Sequence, residues 1–297
     1  MRWQGNRESD NVEDRRDEGG GDASGGGIGL PHIGVGGLVL VLLGSWFFHV
    51  NPLTVLGLLG QGAAPAAVAP SSAHAPPADD VTANFVRTIL ASTEDVWAEV
   101  FREHGRTYVD PKLVLYRGEI RTGCGLGQAA QGPFYCPADR KVYIDLGFYD
   151  VLRNQLGSPG DFAEAYVIAH EVGHHVQNLL GLSTKVEALR AREDEAQANA
   201  TSVRVELQAD CYAGVWAKRA DAERHWLDQG DIASALNAAS HIGDDALQRA
   251  AGRRVVPETF THGSSAERVG WFERGLARGR PEDCNTFRDP DPLPREG

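Results

Sequence analysis

The chain has 297 residues, enough for one substantial globular domain with accessory segments. Its formal net charge is −12 and no long basic stretch relieves that balance, which speaks against a nucleic-acid partner. Its four cysteines, Cys124, Cys136, Cys211 and Cys284, lack the C-x-x-C spacing of a structural zinc site.

Residues 1–27 mix Arg, Asp, Glu and Gly without apolar periodicity, and the N-terminal segment 1–32 is expected to be disordered. From Ile33 to Val50 there is no Lys, Arg, Asp or Glu, and the apolar character continues past Pro52 through Leu53 to Leu59. The stretch 33–59 is therefore expected to be one transmembrane helix, with a buried core helix or a cleaved signal peptide as alternatives. The long acid-rich leader and the length of the apolar run count against a signal peptide, while small residues in Ala63 to Ala75 leave cleavage open. Arg15 and Arg16 precede the span and no Lys or Arg follows until Arg87. That asymmetry predicts a cytoplasmic N-terminus and a single-pass protein with its C-terminal domain exported, although Asp17 and Glu18 dilute it. The Ala/Pro-rich segment 60–80 is expected to be an extended linker.

A globular domain is expected over 81–288, followed by a tail at 289–297. Phe85, Val86, Ile89, Leu90, Val96, Trp97, Val100 and Phe101 recur at helical spacing and predict a helix pair. Lys112 to Tyr116 predicts a strand. Arg140 to Leu146 predicts another, with Tyr143 and Asp145 on the face opposite Val142, Ile144 and Leu146. Between them, Cys124 and Cys136 flank the loop Gly125-Leu126-Gly127-Gln128, and a disulfide closing it is the first pairing to consider. Cys211 with Cys284 would then tie a later helix to the C-terminal region, and four reduced cysteines are the alternative.

The chemistry concentrates in His170-Glu171-Val172-Gly173-His174. On a helix, a spacing of four puts His170 and His174 on one face, where two imidazoles can bind one zinc ion, with Glu171 beside them to activate a water. Asp161 followed by Glu164 suggests a capping box at the start of that helix, and Gly181 a stop. His175 points about 100° away from His174 and is not expected to be a ligand. Downstream, Glu206 and Asp210 share the face of a second helix running towards Trp216 and Lys218. Glu206 suits the third ligand, and Asp210 suits the second nitrogen of a ligand histidine, in a segment whose apolar flanks demand that a carboxylate be partnered. A polar helix is expected between Gly181 and Ala200, and another helical region over Ile232 to Leu247. His262 lies in a loop before a helix containing Val269, Trp271 and Phe272 and is the candidate oxyanion donor, a plain loop histidine being the alternative. Arg268, within that helix, is expected to solvate the surface, with pairing of a carboxylate as its alternative, and Tyr212, His225 and His241 are expected to be structural.

In combination, these features resemble the neutral zinc metallopeptidase family of bacterial membrane-anchored proteins. The resemblance rests on the Gly-rich apolar N-terminus, Gly132-Pro133-Phe134-Tyr135-Cys136-Pro137, His170 to His175, Glu206 to Gly214, Gly243-Asp244-Asp245 and Thr261-His262-Gly263-Ser264-Ser265, and spans residue 1 to about 288. The Glu206 neighbourhood and the later Thr-His are also similar to prenyl-protein and heat-shock membrane metalloproteases, which have several membrane spans where this chain offers one.

The expectation is therefore an α+β, mostly helical, zincin-like domain with a small sheet, preceded by one transmembrane helix. It would hydrolyse peptide bonds with Zn2+ on His170, His174 and Glu206, Glu171 as general base, His262 as a catalytic donor and Asp210 behind a ligand. Lys141 to Leu146 is the candidate strand for holding an extended peptide substrate, with a paired core strand as its alternative. The other function class is a non-catalytic zinc-binding envelope protein or scaffold that binds a partner through the same groove.

Overall fold

The computed structural model describes residues 1–18, 74–128, 132–154 and 160–287, all of them within one unit formed by Met1–Gly20 and Ala73–Gly297. In chain order the elements are β1 (Val12–Asp14), α1 (Val81–Glu103), β2 (Lys112–Tyr116), β3 (Glu119–Thr122), β4 (Gly125–Gln128), β5 (Phe134–Cys136) and β6 (Lys141–Asp145). Helices follow: α2 (Gly147–Asn154), α3 (Asp161–Leu179), α4 (Leu182–Arg190), α5 (Glu195–Arg224), α6 (Asp231–His241), α7 (Asp244–Ala250) and α8 (Ser265–Arg278). The mostly helical α+β class is as expected.

The sheet has the order β1-β2-β6-β5. β1 and β6 run parallel to β2 on its two sides, and β5 pairs antiparallel with β6, which leaves β1 and β5 as the two edges. Side chains alternate across a strand. Leu113, Leu115, Val142 and Ile144 accordingly join the main helical core, while Val114, Tyr116 and Tyr143 join Ile120, Cys136 and Phe134 in a smaller cluster on the other face. The β3–β4 hairpin contributes Ile120 to that second cluster. Both faces of β6 are thus covered and both its edges paired. It is the core strand, not the substrate-holding one; the strands with an outer edge are β1 and β5, of which only β5 lies at the cleft.

α3 is buried over nearly its whole length because it lies amid other elements, and it packs on α1, α5 and α6. Its crossing with α5 is close: a Cβ on Gly173 would sit 3.0 Å from the Ala209 carbonyl oxygen. The α5–α8 crossing is closer still, since a Cβ on Gly275 would fall 2.0 Å from the Cys211 carbonyl oxygen. Glycine at these two points lets three backbones approach until the side chains of α3, α5 and α8 meet. Disulfides Cys124–Cys136 and Cys211–Cys284 follow the expected pairing, the second fastening α5 to the short turn at Pro281–Cys284.

Several expectations change. Residues 1–18 are not loosely held: β1 belongs to the sheet, and Trp3 packs edge-on against Phe85 at 5.3 Å. Their fixing is mostly polar and pairwise, which hydrophobic periodicity does not register. The end of the linker is also placed, since His74 bridges to Asp14 and the Asp80 side chain caps α1. One 23-residue helix, not a pair, spans Val81–Glu103. No capping box forms at Asp161: the N-cap is Gly160, Asp161 accepts from Trp3 Nε1 at 2.8 Å, and Glu164 turns inward towards Arg153. The 232–247 region divides into α6 and α7 around Gly243. The transmembrane expectation at 33–59 lies outside the described residues, among which no helix is long and apolar enough to cross a membrane.

Candidate metal centre

His170 and His174 lie one turn apart on α3, with ring centroids 4.8 Å apart and planes near perpendicular. α5 brings Glu206 opposite them: His170 Nε2 is 3.2 Å from Oε2 and His174 Nε2 is 3.5 Å from Oε1. The donor atoms of these three residues all lie within 4.8 Å of one another. Two imidazoles and a carboxylate converging in this way form the His₂Glu set that suits a catalytic zinc.

What stands behind the donors tests the fit. The Nδ1 atom of His170 meets Asp210 Oδ1 at 2.8 Å, and that of His174 meets Gln177 Oε1 at 2.9 Å. With Nδ1 donating to an acceptor, each imidazole keeps its Nε2 lone pair aimed at the common point, which is the tautomer a metal requires. Gln177 is itself fixed, donating to the Val205 carbonyl at 2.7 Å and to Gln208 Oε1 at 3.1 Å. The residues present fit zinc.

Asp210 is wholly buried and fully partnered. It accepts from Tyr166 Oη at 2.5 Å and from Arg268 through Nε at 2.9 Å and Nη2 at 3.0 Å. Arg268 is 3% exposed and also donates to the Ile242 carbonyl and to Tyr166 Oη, so the expected surface position gives way to its alternative, pairing with a carboxylate. Its helix is amphipathic, but its partner lies 58 residues upstream, a distance no local pattern reports. Against the desolvation of burial, Arg268 and His170 hold Asp210 below the ordinary carboxylate range. Burial likewise opposes protonation of His170, yet Asp210 and Glu206 push it up to about 10. The centre is thus strongly cation-seeking.

Glu171 is 7% exposed and lines the same cleft. Burial raises its pKa, with the neighbouring Glu206 adding to the effect and the ligand imidazoles opposing it. That direction suits a carboxylate that must both accept and release a proton. His175 is no ligand, as expected: it is fully buried, Nε2 donates to the Val109 carbonyl at 2.7 Å, and Tyr135 Oη sits 3.0 Å from Nδ1. Burial drives it down to about 4, so it stays neutral.

His262 lies at the cleft rim, its side chain 52% exposed, with Nδ1 3.2 Å from Asp244 Oδ1. The other Asp244 oxygen accepts the backbone N–H groups of Thr261, His262 and Gly263 at 2.7, 2.6 and 3.0 Å. The hydrogen bond to Asp244 raises the His262 pKa in spite of partial burial. Tyr166, Gln177 and Asp244 are the residues of this region to which sequence reasoning gave no role at the site. Only Gln177, one helical turn after His174, carried a local signal.

The cleft encloses about 1380 Å³ and is open to one side. Phe134, Tyr135 and Pro137 of the β5 region line it, and no residue of β6 does. A peptide segment fits a space of this size.

The family described as "Putative neutral zinc metallopeptidase" matches residues 1–287. The uncharacterized protein YpfJ of Escherichia coli K12 is 53% identical over 290 residues, covering 97% of this chain and 99% of its own. The uncharacterized proteins Mb2605 of Mycobacterium bovis and Rv2575 of Mycobacterium tuberculosis H37Rv are each 43% identical over 217 residues, 70% of this chain and 72% of theirs. No solved structure matches the chain.

Proposed function

The chain belongs to this neutral zinc metallopeptidase family, and on that premise we propose that it is a zinc-dependent endopeptidase centred on His170, His174 and Glu206. The observation that carries the reading is Glu171, a buried carboxyl that the three-ligand set does not need, beside those donors in a cleft wide enough for a peptide. Zinc bound there supplies a Lewis acid for the scissile carbonyl and lowers the pKa of water towards neutrality. Glu171 takes the water proton and returns it to the leaving amine. Asp210 and Gln177 hold the two imidazoles in the ligating tautomer. His262, with Nδ1 engaged by Asp244, offers Nε2 to the carbonyl oxygen as it becomes negative.

The peptide or protein substrate runs extended along the outer edge of β5, where main-chain hydrogen bonds can hold it over the centre. The two disulfides support an oxidising, exported location, and the apolar stretch 33–59 supports attachment to a membrane. Chelation tests the assignment. Treating the full chain with a zinc chelator should abolish cleavage of casein, zinc should restore it, and His174→Ala should not recover. Cleavage that survives chelation contradicts the proposal.

A further inference from the structure

The arm formed by residues 1–18 is built into the domain that carries the metal centre. β1 follows β2 in register, Val12 opposite Leu113 and Asp14 opposite Leu115, and Glu13 bridges Lys112 at 3.2 Å and Lys141 at 2.7 Å. On α1, Glu94 is 5% exposed. Ser9 Oγ at 2.5 Å, Arg7 Nη2 at 2.8 Å and Asn11 Nδ2 at 2.9 Å, all from the arm, hydrogen-bond its carboxylate. Without the arm a carboxylate placed for three donors loses them, which the domain tolerates poorly. Trp3 meanwhile donates to Asp161, the first residue of α3. The family match begins at residue 1 and so includes the arm.

The chain leaves this arm after Glu18 and re-enters at His74, and the two ends meet: Asp14 N–H donates to the His74 carbonyl at 2.7 Å, and Arg16 reaches Asp80 at 2.6 Å. We infer that residues 1–18 and the 74–287 domain share one side of the membrane, so that the chain makes no net crossing between them. A single crossing, as the sequence alone suggested, would put β1 and β2 in different compartments. Two full crossings need roughly 40 apolar residues, and the whole stretch from Ile33 to Leu59 is 27 residues, with Ser45, His49, Asn51 and Thr54 among them. The arginines that suggested a cytoplasmic N-terminus lose their weight here. Arg15 pairs with Glu18, and Arg16 with Asp14 and Asp80, so neither is a free positive charge.

The test places single cysteines at exposed positions in the full chain, Asp10→Cys in the arm and Arg102→Cys on α1. The native cysteines are held in disulfides and stay silent. A membrane-impermeant maleimide is applied to intact spheroplasts and, separately, after permeabilisation. The inference requires both positions to label in the same condition, with the chain in the membrane fraction. Labelling of the two positions from opposite sides overturns it. Recovery of the chain in the soluble fraction without detergent overturns its attachment to the membrane.

Discussion

Two aspartate–histidine pairs border the centre and are built in opposite ways. Asp210 and His170 are buried, and the aspartate is gripped by Arg268 and Tyr166 as well as the imidazole. Asp244 and His262 sit at the rim, the carboxylate fixed by three successive backbone N–H groups and the imidazole half in solvent. The first arrangement keeps a charge still and a tautomer constant, as a metal ligand needs. The second fixes where the imidazole is and leaves its proton exchangeable, as a donor to a transient oxyanion needs.

The largest effect is expected from breaking the buried pair. Arg268→Met removes the cation facing a buried Asp210 and should cost about 3–5 kcal/mol in denaturant unfolding. A loss below about 1 kcal/mol would show that Asp210 does not depend on it.

A third carboxyl sharpens the contrast, because Glu164 is buried without a well-aligned partner. Arg153 approaches to 3.1 Å, yet Oε1 makes no hydrogen bond, and burial pushes the pKa up to about 7. Between about 4.5 and 7 the folded chain then binds more protons at this site than the unfolded chain, so stability falls as pH rises through that window. Glu164→Gln should be near neutral at pH 4 and stabilising by up to about 3 kcal/mol at pH 8, as read by thermal unfolding at both pH values. Equal effects at the two pH values would mean that this carboxyl does not titrate there.

The rim pair should give the smallest change. Asp244→Asn should lower kcat/KM about tenfold and move its alkaline limb to lower pH, because His262 loses the charge that raises its pKa. Zinc content should be unchanged. An unaltered pH profile would remove His262 from the reaction.

These contrasts follow what sequence can and cannot carry. His170, His174, Glu206 and Asp210 are legible because each pair is spaced by four on one helix, and helical geometry turns that spacing into a shared face. Arg268 is not, since its role exists only where α8 crosses α5, at backbone contact permitted by Gly275. Asp161 and Glu164 match a capping box in letters, but the tertiary partners Trp3 and Arg153 claim both side chains. The arm fails to register for a related reason: a three-residue strand stitched by ion pairs has no period to read.

The central claim is that His170, His174 and Glu206 hold the metal while Glu171 moves the proton. The most direct measurement compares the full-length wild type with Glu171→Gln for zinc content and for cleavage of a peptide library. About one zinc per chain in both is expected, with cleavage in the variant reduced by roughly 10²–10⁴-fold. Loss of zinc from the variant, or full activity in it, would contradict that division of roles.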